Sequence, residues 1–230
     1  MEKHQQFPQV AKIDYTKYWR ERGFAIAQKL KERDHLMLDH IPQGARVLDI
    51  GCGASRLPLA LKEKGCLVTV ADISPEVLEG FSRENIPVMI LDLWHIDAVT
   101  IEGKYDYMIL SEVLEHTTNP EEIITKLMPY TKEFLITIPN SAFYRFRFRL
   151  FFSGRFFRQW LYHPSEHVRF WSHIDFLDWL TAMGVSIVFS KPSNGLSLFG
   201  TMPYLKNLWP NLFGHQILYV ARPQHDEKKV

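Results

Sequence analysis

The sequence predicts a doubly wound α/β protein: a seven-stranded, mostly parallel sheet whose last strand runs antiparallel. Three observations carry this. Short apolar runs alternate with helical patterns from Ile41 to Phe189, the order that builds a parallel sheet covered by helices on both faces. The first run, Val47 to Ile50, ends in Gly51-Cys52-Gly53 and leads into a helical pattern, Leu57 to Leu61, so strand, tight turn and helix follow one another. Acids stand in or just past the first three strands, at Asp49, Asp72 and Asp92, near the carboxyl edge where open α/β sheets bind ligands.

The 230 residues suffice for a full core, and no Pro/Gly/Ser-rich linker divides them. Residues 1–230 are therefore expected to form one domain, with an N-terminal cap at 1–40 and an insert at 141–171. The 27 basic and 26 acidic side chains give a formal net charge of +1, which offers no global pull toward nucleic acid or membrane. Cys52 and Cys66 make no disulfide framework, no signal peptide opens the chain, and no run nears the ~18 apolar residues of a spanning helix. A cytoplasmic setting is the expectation.

The elements follow in order. Met1 to His40 is polar and then helix-like, with Tyr15, Tyr18, Trp19 and Phe24 ahead of a charged stretch from Lys29 to Asp34; it either covers a ligand or closes one end of the sheet. Ile41-Pro-Gln-Gly44 is a turn. Leu67 to Ala71 is the second strand, and Asp72 ends it roughly 20 residues beyond Asp49, the spacing that sets an acid on a ribose. A carboxylate can accept two hydroxyl hydrogen bonds at once. Ser74-Pro75-Glu76 reads as an N-cap and first helical turn. Val88 to Leu91 is the third strand, followed by Asp92-Leu93, and Tyr105 to Ser111 is the fourth, placed centrally. Asn119-Pro120 opens a helix with Glu122 reaching back. Phe134 to Ile138 is the fifth strand, stopped by Pro139-Asn140. Ser172 opens another helix with Asp175 three positions on, and Gly184 ends it. Val185 to Phe189 and Gln216 to Val220 form an apolar antiparallel pair.

Glycines in the first turn let backbone approach a ligand. A dinucleotide site wants Gly-x-Gly-x-x-Gly, but Arg56 holds the third glycine's place, which argues against NAD or FAD. The stretch resembles instead the first motif of class I S-adenosylmethionine (SAM) methyltransferases, Asp/Glu-x-Gly-x-Gly-x-Gly: Asp49, Gly51 and Gly53 match, and Ser55 replaces the last glycine. The resemblance covers roughly Ile41 to Phe189 and implies a Rossmann-like fold with SAM as cofactor. It implies cofactor-binding roles for Asp49, Gly51, Cys52, Gly53, Asp72, Ile73, Asp92, Leu93 and Ser111, with Asp92 at the adenine amino group, Leu93 over the ring and Ser111 near the methionine part. Ile138-Pro-Asn140, the arginine-rich insert ending at Ser153-Gly-Arg155, His167-Val-Arg-Phe170 and Pro210-Asn-Leu-Phe-Gly214 are similar to the MetW (methionine biosynthesis) type. Glu112-Val-Leu-Glu-His116, with His167-x-x-x-Trp171-Ser172-x-x-x-Phe176 later, looks more like the ubiquinone-pathway O-methyltransferases and the small-RNA 3′-end 2′-O-methyltransferases.

In a helical turn Glu112, Glu115 and His116 would share one face. Two carboxylates and an imidazole suit a divalent cation such as Mg²⁺ or Mn²⁺, with His167 as fourth ligand. The alternative is a metal-free site in which His116 serves as general base. The acceptor implied is a small-molecule or lipid-like hydroxyl. The insert from Phe143 to Trp160 holds Arg145, Arg147, Arg149, Arg155 and Arg158 among aromatics, with no acid. It could touch anionic lipid as a peripheral membrane surface, or bind nucleic acid, the least favoured partner. It could also be a lid with Phe146, Leu150, Phe157 and Leu161 on one helical face, although the alternation from Arg145 to Arg149 fits a strand. A non-catalytic SAM-binding module that docks a protein partner is the rival function, and RNA methylation the third.

Overall fold

Residues 15–156, 166–196 and 205–224 are described in a computed structural model of the chain. The strands are β1 (Arg46–Ile50), β2 (Leu67–Asp72), β3 (Val88–Ile90), β4 (Tyr105–Ser111), β5 (Thr131–Pro139), β6 (Val185–Gly195) and β7 (Gly214–Pro223), in sheet order β3-β2-β1-β4-β5-β7-β6. The first five pair in parallel, while β7 runs antiparallel to both β5 and β6. This is the Rossmann-like, doubly wound arrangement expected. From β1 the chain winds outward to β2 and β3, then returns to the other side for β4, so a crevice opens at the carboxyl ends of β1 and β4.

Alternate strand residues point to opposite faces, and both faces are covered. Leu48, Met108, Leu110, Phe134, Ile136 and Tyr219 pack with α5 (Pro120–Leu127) and α7 (His173–Ala182) on one side. Val47, Val70, Ile109, Leu135 and Val220 pack with α2 (Glu32–His40), α3 (Leu57–Glu63) and α4 (Pro75–Arg83) on the other. An eight-residue helix, α1 (Tyr15–Arg22), precedes them, and Met1 to Asp14 of the expected cap lie outside the described residues. Among the described residues no helix is long and apolar enough to cross a membrane.

Local signals fared unevenly. Ser172 and Asp175 make the expected capping box, and Gly184, at φ +72°, follows α7. Ser74 does not cap α4 with its side chain; its hydroxyl donates to Glu76 Oε2 at 3.0 Å, and its N–H goes to Asp72. Asn119 likewise gives its side-chain amide to Glu122 Oε2 rather than capping backbone. The insert is helical, not extended, over α6 (Tyr144–Ser153); no residue of that helix is buried, and Phe151 is 82% exposed. Phe148, Phe151 and Phe152 therefore do not pack on the sheet as a closed lid would require, whereas Phe143, buried just before the helix, and Phe146 set their rings against His215 of β7; Phe157, Arg158 and Leu161 lie outside the described residues.

Asn140, fully buried just past β5, joins distant segments. Its amide Nδ2 donates to the carbonyls of Gly214 (2.8 Å), Asn211 (3.1 Å) and Pro210 (3.3 Å), the last two in the short helix Pro210–Phe213. Its Oδ1 accepts from Ala142 N (3.0 Å) and His173 N (3.2 Å). One side chain thus fixes where β5 ends, where α7 begins and how the chain enters β7. That gives a physical reason for the Ile138-Pro-Asn140 and Pro210–Gly214 segments to occur together.

Candidate functional site

A cleft of about 730 Å³ opens at the carboxyl ends of β1, β2 and β4, within the ~300–1,000 Å³ usual for small-molecule sites. Its floor is the turn after β1. Gly51 and Gly53 sit at φ +67° and +50°, the left-handed region that side chains resist. A Cβ on Gly51 would stand 2.6 Å from Val113, and one on Gly53 would stand 2.6 Å from the Trp19 ring. The bare turn is therefore what lets α1 close over this edge of the sheet.

Asp72, at the tip of β2 and 6% exposed, accepts from Gly53 N at 2.9 Å and Ser74 N at 3.0 Å. It holds the glycine turn in shape while each oxygen keeps a further lone pair. Burial raises its pKa, with the N–H donors pulling the other way. Asp49, inside β1, is pushed well up by burial, with Asp34 and Asp72 adding and Arg33 opposing. Burial also raises the Cys52 thiol. Asp49, Gly51, Cys52, Gly53, Asp72, Ile73, Leu93 and Ser111 all line the cleft. Asp92 does not: its carboxylate accepts from Trp94 N at 2.9 Å and meets His95 Nδ1 at 2.7 Å, leaving Leu91, Leu93 and Trp94 as the wall there.

The Glu112–His116 stretch departs from the helical turn expected. Glu112 lies at φ +58°, a costly conformation for a residue with a side chain, and only Leu114–His116 forms a turn of 3₁₀ helix. Glu112 and Glu115 consequently do not share a face. Glu112 turns to Gln216, whose Nε2 donates to it at 2.9 Å, and to Arg33 Nη1 at 4.0 Å. Its N–H donates to the Thr137 carbonyl at 3.0 Å, which holds the strained residue in place.

Glu115 points inward and is fully buried, and neither carboxylate oxygen has a hydrogen-bond partner among the described residues. Burial and then Glu112 drive its pKa well up. His116 and His167 line the cleft with ring centroids 4.6 Å apart. The donor atoms of Glu115, His116 and His167 lie within 4.8 Å of one another. His116 Nδ1 meets the Glu166 carbonyl oxygen; because a carbonyl only accepts, the proton sits on Nδ1 and Nε2 carries a lone pair. Burial lowers the pKa of His116, and burial with the neighbouring His116 pushes His167 down to about 3, so both imidazoles are neutral at pH 7. Tyr15 sets its ring edge-on to His116 at 6.4 Å, and burial followed by Glu115 raises its phenol well above the usual range, so it stays a proton donor.

Several lining residues escaped sequence reasoning. Arg33 sat in a stretch noted only as charged, and Gln216 and His215 reach the cleft because β7 lies beside β5. Glu166 acts through its backbone, and no side-chain pattern could have revealed that.

Comparison with known proteins follows the same lines. The family model for methionine biosynthesis protein MetW matches residues 32–221. A bifunctional methionine biosynthesis protein MetXA/MetW from Rhodopirellula baltica is 28% identical over 128 residues, 52% of this chain and 20% of that protein. A ubiquinone biosynthesis O-methyltransferase from Xanthomonas axonopodis pv. citri is 31% identical over 109 residues, 44% of this chain and 46% of that protein. The matches thus span less than half the length of these curated relatives. The fold is shared with Burkholderia thailandensis 1,6-didemethyltoxoflavin-N1-methyltransferase, solved with S-adenosylhomocysteine, at a TM-score of 0.60 and 17% identity over 92% of this chain and 83% of that one.

Proposed function

The chain belongs to the MetW family, and from that premise we propose that it is a SAM-dependent methyltransferase acting on a small-molecule or lipid-like hydroxyl. The observation that carries this is the Gly51–Gly53 turn, locked by Asp72 at the floor of a cleft of small-molecule size. The residues fit an adenosyl group: bare backbone at the turn, spare lone pairs on a buried strand-tip carboxylate, and an apolar wall of Ile73, Leu91 and Leu93. When bound, SAM supplies a methyl group on a sulfonium that is already a good leaving group.

The chain's own residues then bind and orient. Asp72 takes the ribose hydroxyls, Leu93 covers the adenine with Leu91 and Trp94 beside it, and Asp49, Cys52 and Ser111 border the methionine part. In the metal-free chain, Nε2 of His116 accepts the proton of the acceptor hydroxyl, and the Glu166 carbonyl keeps the ring in the tautomer that allows this. The likeness to a ubiquinone biosynthesis O-methyltransferase supports a hydroxyl on a lipid-like acceptor. Phe146 lines the cleft from α6, whose outer face exposes Phe148, Phe151 and Phe152 among arginines. That face gives such an acceptor a route from an anionic lipid surface.

A second reading, a SAM-binding module docked on a partner enzyme, is favoured by one observation: the Rhodopirellula protein joins MetXA and MetW in one chain. Transfer of labelled methyl from SAM across a panel of hydroxylated amphiphiles separates the two. Label on a hydroxyl supports the enzyme; SAM binding with no transfer to any panel member supports the docking module.

A further inference from the structure

We propose that Asn194 and Gln216 are positioning residues: two side-chain amides in series that aim the Glu112 carboxylate at the methionine end of the cleft, where it takes the ammonium group of the bound cofactor. This role rests on the methyltransferase reading and adds to it the residues that recognise the amino group. The relay starts outside the cleft. Glu32 of α2 accepts from Asn194 N at 2.9 Å and meets Lys206 Nζ of the short helix Leu205–Leu208. Asn194 gives its Nδ2 to Gln216 Oε1 at 2.7 Å, and Gln216 gives its Nε2 to Glu112 Oε2 at 2.9 Å.

The order of these bonds gives the relay a direction. A side-chain amide presents an acceptor at one end and donors at the other. An ionised Glu112 needs the Nε2 donor of Gln216, and only an Asn194 donor at Oε1 matches that arrangement. The reverse order would set Gln216 Oε1 against a carboxylate. Backbone geometry fixes both ends. Asn194 sits at φ +47°, a left-handed conformation that asparagine tolerates better than most residues. A Cβ on the next residue, Gly195, would stand 2.5 Å from the Phe213 carbonyl oxygen, so the end of β6 has one way to lie. Glu112, at φ +58°, is tied down by its N–H to the Thr137 carbonyl.

The described residues give Glu112 no full counter-charge. Arg33 Nη1 stands 4.0 Å away, at the outer limit of an ion pair, and the same guanidinium faces Asp34 at 3.8 Å. The Thr137 hydroxyl approaches the carboxylate but also meets Ser111 Oγ at 3.0 Å. Glu112 Oε1 makes no hydrogen bond among the described residues, and the side chain is 19% exposed in the cleft it lines. A carboxylate so far removed from water is stabilised by a cation that comes to meet it. The methionine part of the cofactor carries one, its ammonium. Ser111 borders that part, so the ammonium arrives beside the next residue along the chain. Asp49, the other acid there, is 3% exposed within β1 and has Asp34 and Asp72 as anionic neighbours. Glu112 is the more open of the two.

The test is calorimetric binding to the full chain of S-adenosylhomocysteine and of its deamino analogue, the same molecule without the α-amino group. Wild type should prefer S-adenosylhomocysteine by about 10- to 100-fold, the worth of one hydrogen bond to a charged group. Glu112→Gln removes the charge, Gln216→Leu removes the donor, and Asn194→Asp draws the Gln216 Nε2 away from Glu112. Each variant, checked for folding by circular dichroism, should bind S-adenosylhomocysteine about tenfold more weakly and hold the deamino analogue within about threefold. A general loosening of the cleft would weaken both ligands alike, so the ratio of affinities isolates the relay. A wild-type chain that does not distinguish the two ligands overturns the proposal before any variant is made. A preference that survives Glu112→Gln overturns it too, and one lost there but kept in both Gln216→Leu and Asn194→Asp removes the positioning role. No binding of either ligand by folded wild type sinks the methyltransferase reading and this role with it; binding without preference sinks this role alone.

Discussion

Asn140→Ala should destabilise the chain by about 3 kcal/mol. The side chain makes five hydrogen bonds, three from Nδ2 and two to Oδ1, and the residue is fully buried. At a net ~1 kcal/mol each, five bonds set an upper figure of ~5 kcal/mol. Two N–H groups cannot serve three carbonyls at full strength, and the bonds to Asn211 and Pro210 are longer and less buried, so roughly 3 kcal/mol remains. For a chain of this size that lowers Tm by about 6–12 °C. Urea unfolding with an unchanged m-value is the assay. Asn140→Asp keeps the acceptor for Ala142 and His173 but sets a carboxylate oxygen against three carbonyls, and should cost at least as much. Asn140→Ala within about 1 kcal/mol of wild type would refute the view that this amide joins β5, α7 and β7.

Gly53→Ala places a Cβ against Trp19 in a left-handed backbone, and should cost about 1–2 kcal/mol of stability and at least tenfold in SAM affinity by calorimetry. His116→Gln should lower kcat by about 10²- to 10⁴-fold in chelator-treated protein, with SAM affinity retained; an unchanged kcat would remove His116 from the chemistry. Asp49 has its folded pKa raised by burial, so the folded chain binds its proton more tightly than the unfolded chain does. Its cost is absent below the unfolded value of ~3.9, grows as pH rises toward the folded value and is full above it. Asp49→Asn should therefore be more stable than wild type at neutral pH, with the difference in unfolding free energy vanishing near pH 4; a difference that grows on acidification would contradict the sign.

Much of the sheet was legible because its signals are local. Val47 to Ile50 and Phe134 to Ile138 are dominated by apolar residues, each broken once, by Asp49 and by Thr137, as a strand buried on both faces requires, and the Gly51–Gly53 turn needs two positive φ values. Ser172–Asp175 was legible because both halves of the box lie within four residues. The site was harder. The i, i+3, i+4 argument for Glu112, Glu115 and His116 assumed a helix that begins at Glu112, yet a residue at φ +58° breaks it, and Gln216, from a strand far along the chain, decides where Glu112 points. Asp92 was expected at a ligand but spends its carboxylate on the next turn through Trp94 and His95. Arg33, Gln216 and the Glu166 carbonyl come to the cleft only through the order of strands and the path of the returning chain, which residue types do not encode.

The central claim is that the glycine turn and Asp72 cradle an adenosyl group. Calorimetric titration of the full chain with S-adenosylhomocysteine, repeated with Asp72→Ala, tests it most directly. The account predicts binding at one site in the micromolar range, weakened by at least tenfold in the variant, and no heat with NADH. No binding by a folded sample, binding indifferent to Asp72, or NADH competing for the same cleft would contradict it.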